Sequence, residues 1–244
     1  MGLTIHYSLK TDPLSTDEAR KLVEQLRTDA CNLPFDEVGE LVDGEESRSS
    51  AKAKVNAYAG MVLARTERPF SFRLDSQDYG LFLRPTSVFA FSINPGEGCE
   101  KACFGLGQYP DEVECQGQKV PTGLAGWRWW SFCKTQYASN ARSGGLGQFL
   151  RCHVGIITLL DKAKELGILE SVVDEGGYWE QRKVPELVKT IGQWNSLVAG
   201  LVGSLQDRME KAGVDRRQIM SEITKFPDFE HLEAKGRNDS DKEA

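Results

Sequence analysis

Cys133, His153 and either Asp174 or Glu175 follow one another along the chain in the order thiol, imidazole, acid. In a nucleophilic triad of this kind the imidazole holds the thiol as thiolate, and the carboxylate fixes the tautomer of the ring. Spacing alone does not decide the matter, because such triads are assembled by the fold. His153 also falls on the apolar row Phe149, Ile156 and Leu160. Its plainer role is a core histidine with both nitrogens satisfied. Cys133, His153 and Glu175 are therefore the candidate catalytic residues of one reading, and structural residues in the other.

A second chemistry is metal binding, through Cys99, Cys103, Cys115, Cys133 and the adjacent Cys152 and His153. Structural zinc is clasped by paired ligands two to four residues apart. Only Cys99 and Cys103 are so spaced and no second knuckle follows, so the cysteines are read as small buried hydrophobes and no metal is assigned. The chain opens without a basic segment leading into an apolar one, as a secretory leader would require. The six cysteines are accordingly expected to be reduced, in a cytoplasmic setting.

A third is anion binding where Gly144-Gly145-Leu146-Gly147 opens a helix, with Arg142 and Arg151 near in sequence. Neither a phosphate-loop lysine nor a dinucleotide fingerprint accompanies the glycines, which serve equally well as a tight turn. The fourth is Asp174-Glu175-Gly176-Gly177-Tyr178-Trp179-Glu180, where two carboxylates and two aromatics flank a flexible turn. They could line a polar pocket, or be ordinary acids at a solvated turn. Combining these with the aromatic segment before them gives a composite ligand site of Trp129, Lys134, Gln136, Arg142, Asp174, Glu175 and Tyr178.

The elements that must position these residues follow from hydrophobic periodicity. Leu3, Ile5 and Tyr7 alternate with polar residues, which predicts a half-buried strand. Ser15-Thr16-Asp17-Glu18 is a capping box, and Ala19, Leu22, Val23, Leu26 and Ala30 mark one face of the helix it starts, which should end near Pro34. A short strand is expected from Val38 to Val42, then an exposed polar loop over residues 43–56. Met61 to Leu63, Phe70 to Phe72, Leu81 to Leu83, Val88 to Ile93 and Ala102 to Tyr109 read as meandering strands. Between the last two, Asn94-Pro95-Gly96-Glu97-Gly98 is a turn.

From Gly126 to Tyr137 the residues Trp127, Trp129, Ser131, Cys133 and Thr135 share one face, and Arg128, Trp130, Phe132 and Lys134 the other. Aromatics on both faces predict a central strand covered on each side. Leu146, Phe149, Leu150, His153, Ile156, Ile157 and Leu160 mark a long helix ending at Gly167, and Val172-Val173 a strand. Beyond Val184, Leu187, Ile191, Trp194, Val198, Leu201 and Leu205 recur at threes and fours, which predicts one continuous helix from Val184 to Leu205 with Leu187, Ile191, Trp194, Val198 and Leu201 buried. A last short helix is expected over 215–226. The predicted fold class is α+β, a mostly antiparallel or mixed sheet with about three long helices packed on it. Residues 1–232 are read as one domain, and 233–244 as a disordered charged tail.

Bulk properties narrow the function classes. With 40% hydrophobic and 27% charged residues the chain has the balance of a folded protein. The net charge of −6 argues against non-specific nucleic-acid binding, and no apolar run reaches the 18 or so residues of a membrane span. The motif Trp129 to Ser139, with Phe149-Leu150-Arg151-Cys152-His153, Asp174 to Glu180 and the opening Leu3 to Tyr7, resembles an uncharacterised bacterial protein family. The resemblance implies a bacterial, cytoplasmic setting and carries no activity, cofactor or catalytic residue with it. Two functions follow. One is a binding or interaction protein, with a protein partner or a second copy engaged through helix 184–205. The other is a small-molecule enzyme with a Cys133, His153 and acid site, or a carboxylate site, beside the aromatic strand 127–137.

Overall fold

The computed structural model describes residues 3–45, 64–65, 72–74, 77–79, 82–83, 85–115, 118–124, 126–212 and 221–243. The alternating opening segment becomes strand β1 (Thr4–Thr11). Along its full length it pairs antiparallel with β12 (Trp127–Lys134), from Thr4 opposite Lys134 to Thr11 opposite Trp127. Its other edge takes β13 (Leu169–Asp174), also antiparallel. β8 (Ser87–Asn94) and β9 (Ala102–Gln108) form a hairpin around the predicted turn, and β2 (Glu37–Val38) and β3 (Val42–Glu45) pair with successive stretches of β8. The result is a seven-stranded sheet ordered β13-β1-β12-β9-β8-β2, with β3 also on β8. Every pairing in it is antiparallel, so the fold is α+β.

Three two-stranded antiparallel pairs complete the strands among the described residues: β4 (Ala64–Arg65) with β7 (Phe82–Leu83), β5 (Phe72–Leu74) with β6 (Gln77–Tyr79), and β10 (Glu112–Cys115) with β11 (Gln118–Pro121). Phe72, Phe82 and Leu83 lie in strands, whereas the strand expected at Met61 to Leu63, and residues 70, 71 and 81, fall outside the described residues. The single strand expected from Val38 to Val42 is two, β2 and β3. Because β3 runs to Glu45, the first three positions of the expected 43–56 loop are strand, and the rest of it lies outside the described residues.

Helix α1 (Thr16–Cys31) starts as its capping box dictates: the Glu18 amide donates to the Ser15 hydroxyl and the Ser15 amide to the Glu18 carboxylate. Its face Ala19, Val23, Leu26 and Ala30 is buried against the sheet with Ile156, Ile157, Leu159, Leu160 and Ala163 of α2 (Gly145–Glu165). Beneath them lie Ile5, Tyr7, Leu9, Phe89, Phe91, Phe104, Trp127 and Trp129. Helices therefore cover one sheet face. On the other face Phe132 and Val173 are exposed, which corrects the expectation that β12 is covered on both sides. Trp130 there leans on the Tyr109 ring at 6.1 Å and is only half-buried.

β12 and β9 stay paired only at Trp127 with Gln108 and Arg128 with Gly107. Beyond that point side chains take over the buried backbone: the Tyr7 hydroxyl and the Trp129 indole N–H both donate to the Cys103 carbonyl, at 2.7 and 2.8 Å. β12 ends at Lys134, and residues Gln136–Ser139 turn as a 3-10 helix where the sequence suggested continued strand.

A short helix α3 (Tyr178–Gln181) leads to α4 (Val184–Lys211), the predicted long helix. Leu187, Ile191 and Val198 are buried as expected and Trp194 is half-buried, but Leu201 and Leu205 are exposed. The correction has a local cause. Val198, Ala199 and Val202 are the residues that turn toward Ile223 and Phe226, so the covered stripe drifts round the helix and leaves Leu201 outside. Of the helix expected over 215–226, residues 222–225 form a 3-10 turn, and 213–220 lie outside the described residues. The final segment, expected as a disordered tail from 233, belongs to α5 (Phe229–Glu243), which packs along α4. A Cβ on Gly203 would strike Glu233 and one on Gly236 would strike the Ser196 carbonyl, so glycines permit that close approach. Contact with α4 supplies what the polar composition of the segment lacks.

Candidate functional site

β12 delivers Cys133, Lys134 and Thr135 toward the start of β1, α2 carries His153 to the same place, and β13 ends there with Asp174 and Glu175. His153 Nε2 lies 3.2 Å from Asp174 Oδ1, and His153 Nδ1 lies 2.9 Å from Thr135 Oγ1. Both imidazole nitrogens are thus engaged, by an acid on one side and a hydroxyl on the other. The ring also stands edge-on to Tyr178 and tilted over Phe149.

The acid is held from three directions. The Gly176 amide donates to Asp174 Oδ1 at 2.8 Å and the Trp179 amide to Oδ2 at 2.9 Å, in addition to the imidazole. Burial alone would raise the pKa of Asp174, but the hydrogen bond and charge of His153 and the two amides outweigh it and hold the carboxyl below its ordinary value. Asp174 ionised and accepting at Nε2 assigns that nitrogen a proton, and Nδ1 is hydrogen-bonded to the Thr135 hydroxyl. Gly176 has no room for a side chain: a Cβ would sit 2.7 Å from Leu187 Cδ1, 3.0 Å from Asp174 Oδ1 and 3.1 Å from His153 Cε1.

A second polar group adjoins the first. Gln136, fully buried, accepts from the Leu3 amide at 3.1 Å and donates to Asn195 Oδ1 at 3.1 Å, and Asn195 donates in turn to Ser139. Leu3 returns the link, its carbonyl accepting from the Thr135 amide. Glu175 is exposed and brackets the next residue, with its Oε2 accepting from the Thr4 amide at 2.8 Å and its own amide donating to the Thr4 carbonyl. The cluster thereby joins β1, the turn after β12, α2, the end of β13 and α4.

The nucleophile position differs from the sequence reading. Cys133 does not meet His153; its thiol donates to the Glu100 carbonyl at 3.3 Å, and burial pushes its pKa well up, which keeps it protonated. The chain turns after Lys134, so Thr135 is the residue presented to the ring. Thr135, His153 and Asp174 reproduce the hydroxyl, imidazole, carboxylate order of a nucleophilic triad. Yet the Thr135 and His153 side chains have no solvent exposure, and the Thr135 hydroxyl is already engaged with Nδ1. In this arrangement the set locks three elements together.

The remaining candidates are dispersed around this cluster. Trp129 is buried, with its N–H on the Cys103 carbonyl. Lys134 reaches over the Tyr137 ring at 4.6 Å, and Arg142 is exposed on the 3-10 turn Ala141–Ser143. Tyr178 packs on His153 and faces the Arg182 guanidinium at 6.0 Å. At the glycine turn Gly144 and Gly145 both have positive φ, of 105° and 70°, which makes them the turn that starts α2. Arg151, expected beside it as an anion partner, instead bonds Asp36 at 2.8 Å, Gln148 and the Pro34 carbonyl. Among the described residues no three His, Cys, Asp or Glu side chains converge as a metal would need. A pocket of about 520 Å³ lies between Thr224 and His231, and none of the candidates lines it.

Asn195 is the residue the sequence reading passed over, although a signal existed. It lies four residues after Ile191 and three before Val198, a polar side chain on a covered helical face, which requires a buried partner. No family model, curated protein or solved structure matches this chain. Among the described residues no helix is long and apolar enough to cross a membrane.

Proposed function

We propose that the chain is a bacterial, cytoplasmic interaction protein whose working surface is the outer face of α4, and that the surface takes a second copy of the same chain. The supporting observation is a row of large apolar side chains left in solvent: Leu197 is 49% exposed, Leu201 46%, Leu205 44% and Met209 36%. Spaced four apart, they form a single ridge about 18 Å long. A row of this kind on an otherwise well-packed helix marks an interaction site.

Charge argues for the second copy. From Thr190 to Gln206 the helix carries no ionisable residue, and Asp207, Arg208, Glu210 and Lys211 follow it. Two copies crossed antiparallel about the middle of the row bring Leu201 against Leu205 and Leu197 against Met209. The charged end of each then lies over the uncharged stretch of the other, so no like charges are opposed. The patch is self-complementary, which a twofold dimer requires. Sedimentation of the full chain tests this: concentration-dependent dimers are expected, with the dissociation constant raised about thirtyfold or more in Leu201→Glu. A wild-type chain that stays monomeric at all concentrations, or an unchanged constant in the variant, overturns the reading.

The Thr135, His153 and Asp174 order supports a second reading, a small-molecule hydrolytic enzyme. It requires Thr135 to become accessible, and a fluorophosphonate probe tests it: labelling at Thr135 that is lost in His153→Gln favours the enzyme, and no labelling at Thr135 sinks it.

A further inference from the structure

On the sheet face opposite the helices, β13, β1 and β12 hold their side chains in register. Val173, His6 and Phe132 are Cα partners across the three strands, so they form one row. The row lies in solvent: Val173 is 60% and Phe132 47% exposed, and the exposed His6 ring stands 5.9 Å from that of Phe132. Charged rows bound it at both ends. At one, Thr4 lies between Glu175 on the β13 side and Lys134 on β12. At the other, Glu170 of β13 is 3.9 Å from Lys10 of β1 and 3.8 Å from Arg128 of β12. The acids Glu170 and Glu175 thus stand on the β13 side of the apolar row, and the cations Arg128 and Lys134 on the β12 side.

We infer that this face docks on the same face of a second copy, about a twofold axis running along β1. Such an axis keeps each row at its own level and exchanges β12 with β13. Phe132 of each copy then meets the smaller Val173 of the other, and the two His6 rings face each other on the axis. Arg128 and Lys134 of each copy meet Glu170 and Glu175 of the other. The two Lys10 side chains also come level on the axis, where a Glu170 from each copy flanks them. An axis across the strands would instead oppose Lys134 to Arg128 and Glu175 to Glu170, like charge to like, so charge selects the axis along β1.

Sheets packed face to face with their strands aligned within about 30° have this arrangement. Three strands wide and as long as β1, the face measures roughly 14 by 25 Å. That is the small end of specific interfaces, so the contact is transient and of micromolar affinity. It goes beyond the α4 reading and does not depend on it, because Leu197, Leu201, Leu205 and Met209 belong to a different element. A chain with both contacts associates further than a dimer.

The test is sedimentation equilibrium of the full chain carrying Leu201→Glu, which silences the α4 ridge. Dimers should persist, with a dissociation constant of about 10–100 µM. Adding Phe132→Glu should raise that constant about tenfold or more. Adding Lys134→Glu should raise it about fivefold, and a further Glu175→Lys should restore it, because the reversed charges meet again across the axis. A Leu201→Glu chain that stays monomeric at about 500 µM gives the face to some other partner and overturns the inference. So does a charge reversal that Glu175→Lys fails to restore in a chain whose circular dichroism spectrum is unchanged. The charge pair decides the matter even if Phe132→Glu does not fold. Failure of the α4 reading looks different: wild type and Leu201→Glu then share one constant, and Phe132→Glu still raises it.

Discussion

His153 and Asp174 meet through 3.2 Å between Nε2 and Oδ1, with neither side chain reaching solvent. A buried ion or dipole pair of this kind is costly to break, because the surviving partner keeps its desolvation penalty. Asp174→Ala strands the imidazole N–H and frees the Gly176 and Trp179 amides. Urea denaturation should show a loss of about 3–5 kcal/mol. A loss below about 1 kcal/mol would mean that the pair contributes no more than an average neutral hydrogen bond.

The same pair sets an acid response. Asp174 has a folded-state pKa below its ordinary value, whereas in the unfolded chain it titrates near about 3.9. Between those values the unfolded state binds more protons, so stability rises with pH there. The contribution is complete above about pH 4 and fades as pH falls through the folded value. Unfolding curves of wild type and Asp174→Asn should therefore converge on acidification below about pH 4. Curves that stay parallel down to pH 2 would falsify the assignment.

Asn195 links Gln136 to Ser139 beneath α4. Asn195→Leu keeps the volume and leaves the Gln136 amide N–H without an acceptor, at a loss of about 1–3 kcal/mol. The double variant Gln136→Leu with Asn195→Leu should lose less than the two singles added together, since it removes donor and acceptor at once. Additive losses in chemical denaturation would show that the two side chains are not coupled.

Gly176 is crowded by Leu187, Asp174 and His153. Gly176→Ala should cost about 1–3 kcal/mol through overpacking. Trimming the nearest neighbour in Leu187→Ala should recover part of that loss, and the readout is the thermal midpoint of the double variant against each single. No recovery would place the strain elsewhere.

Glu175 behaves differently, because its carboxylate is exposed and accepts from the Thr4 amide. Glu175→Gln retains an acceptor and should change stability by less than about 0.5 kcal/mol. A loss above about 2 kcal/mol in urea denaturation would give the charge itself a structural role at the start of β1.

Local signals determined the elements of this protein without help from the fold. Ser15 and Glu18 lie within one turn of each other, so their reciprocal bonds were legible as a motif. The inward parity of Trp127, Trp129, Cys133 and Thr135 followed from the period of a strand, and the continuity of α4 from Val184 to Leu205 from its spacing of threes and fours. Periodicity reports that a stripe is covered, but not by what, and so it could not separate buried Val198 from exposed Leu201. That choice came from where Ile223 and Phe226 settle against the helix. Tertiary structure alone also decided that His153 meets Thr135 instead of Cys133, and that Gln136 meets Asn195. Each of those contacts joins residues on different elements, and the strand order and the turn after β12 set which side chains arrive together. Short-range bonding follows from neighbours in sequence, whereas long-range contacts depend on how the whole chain excludes water.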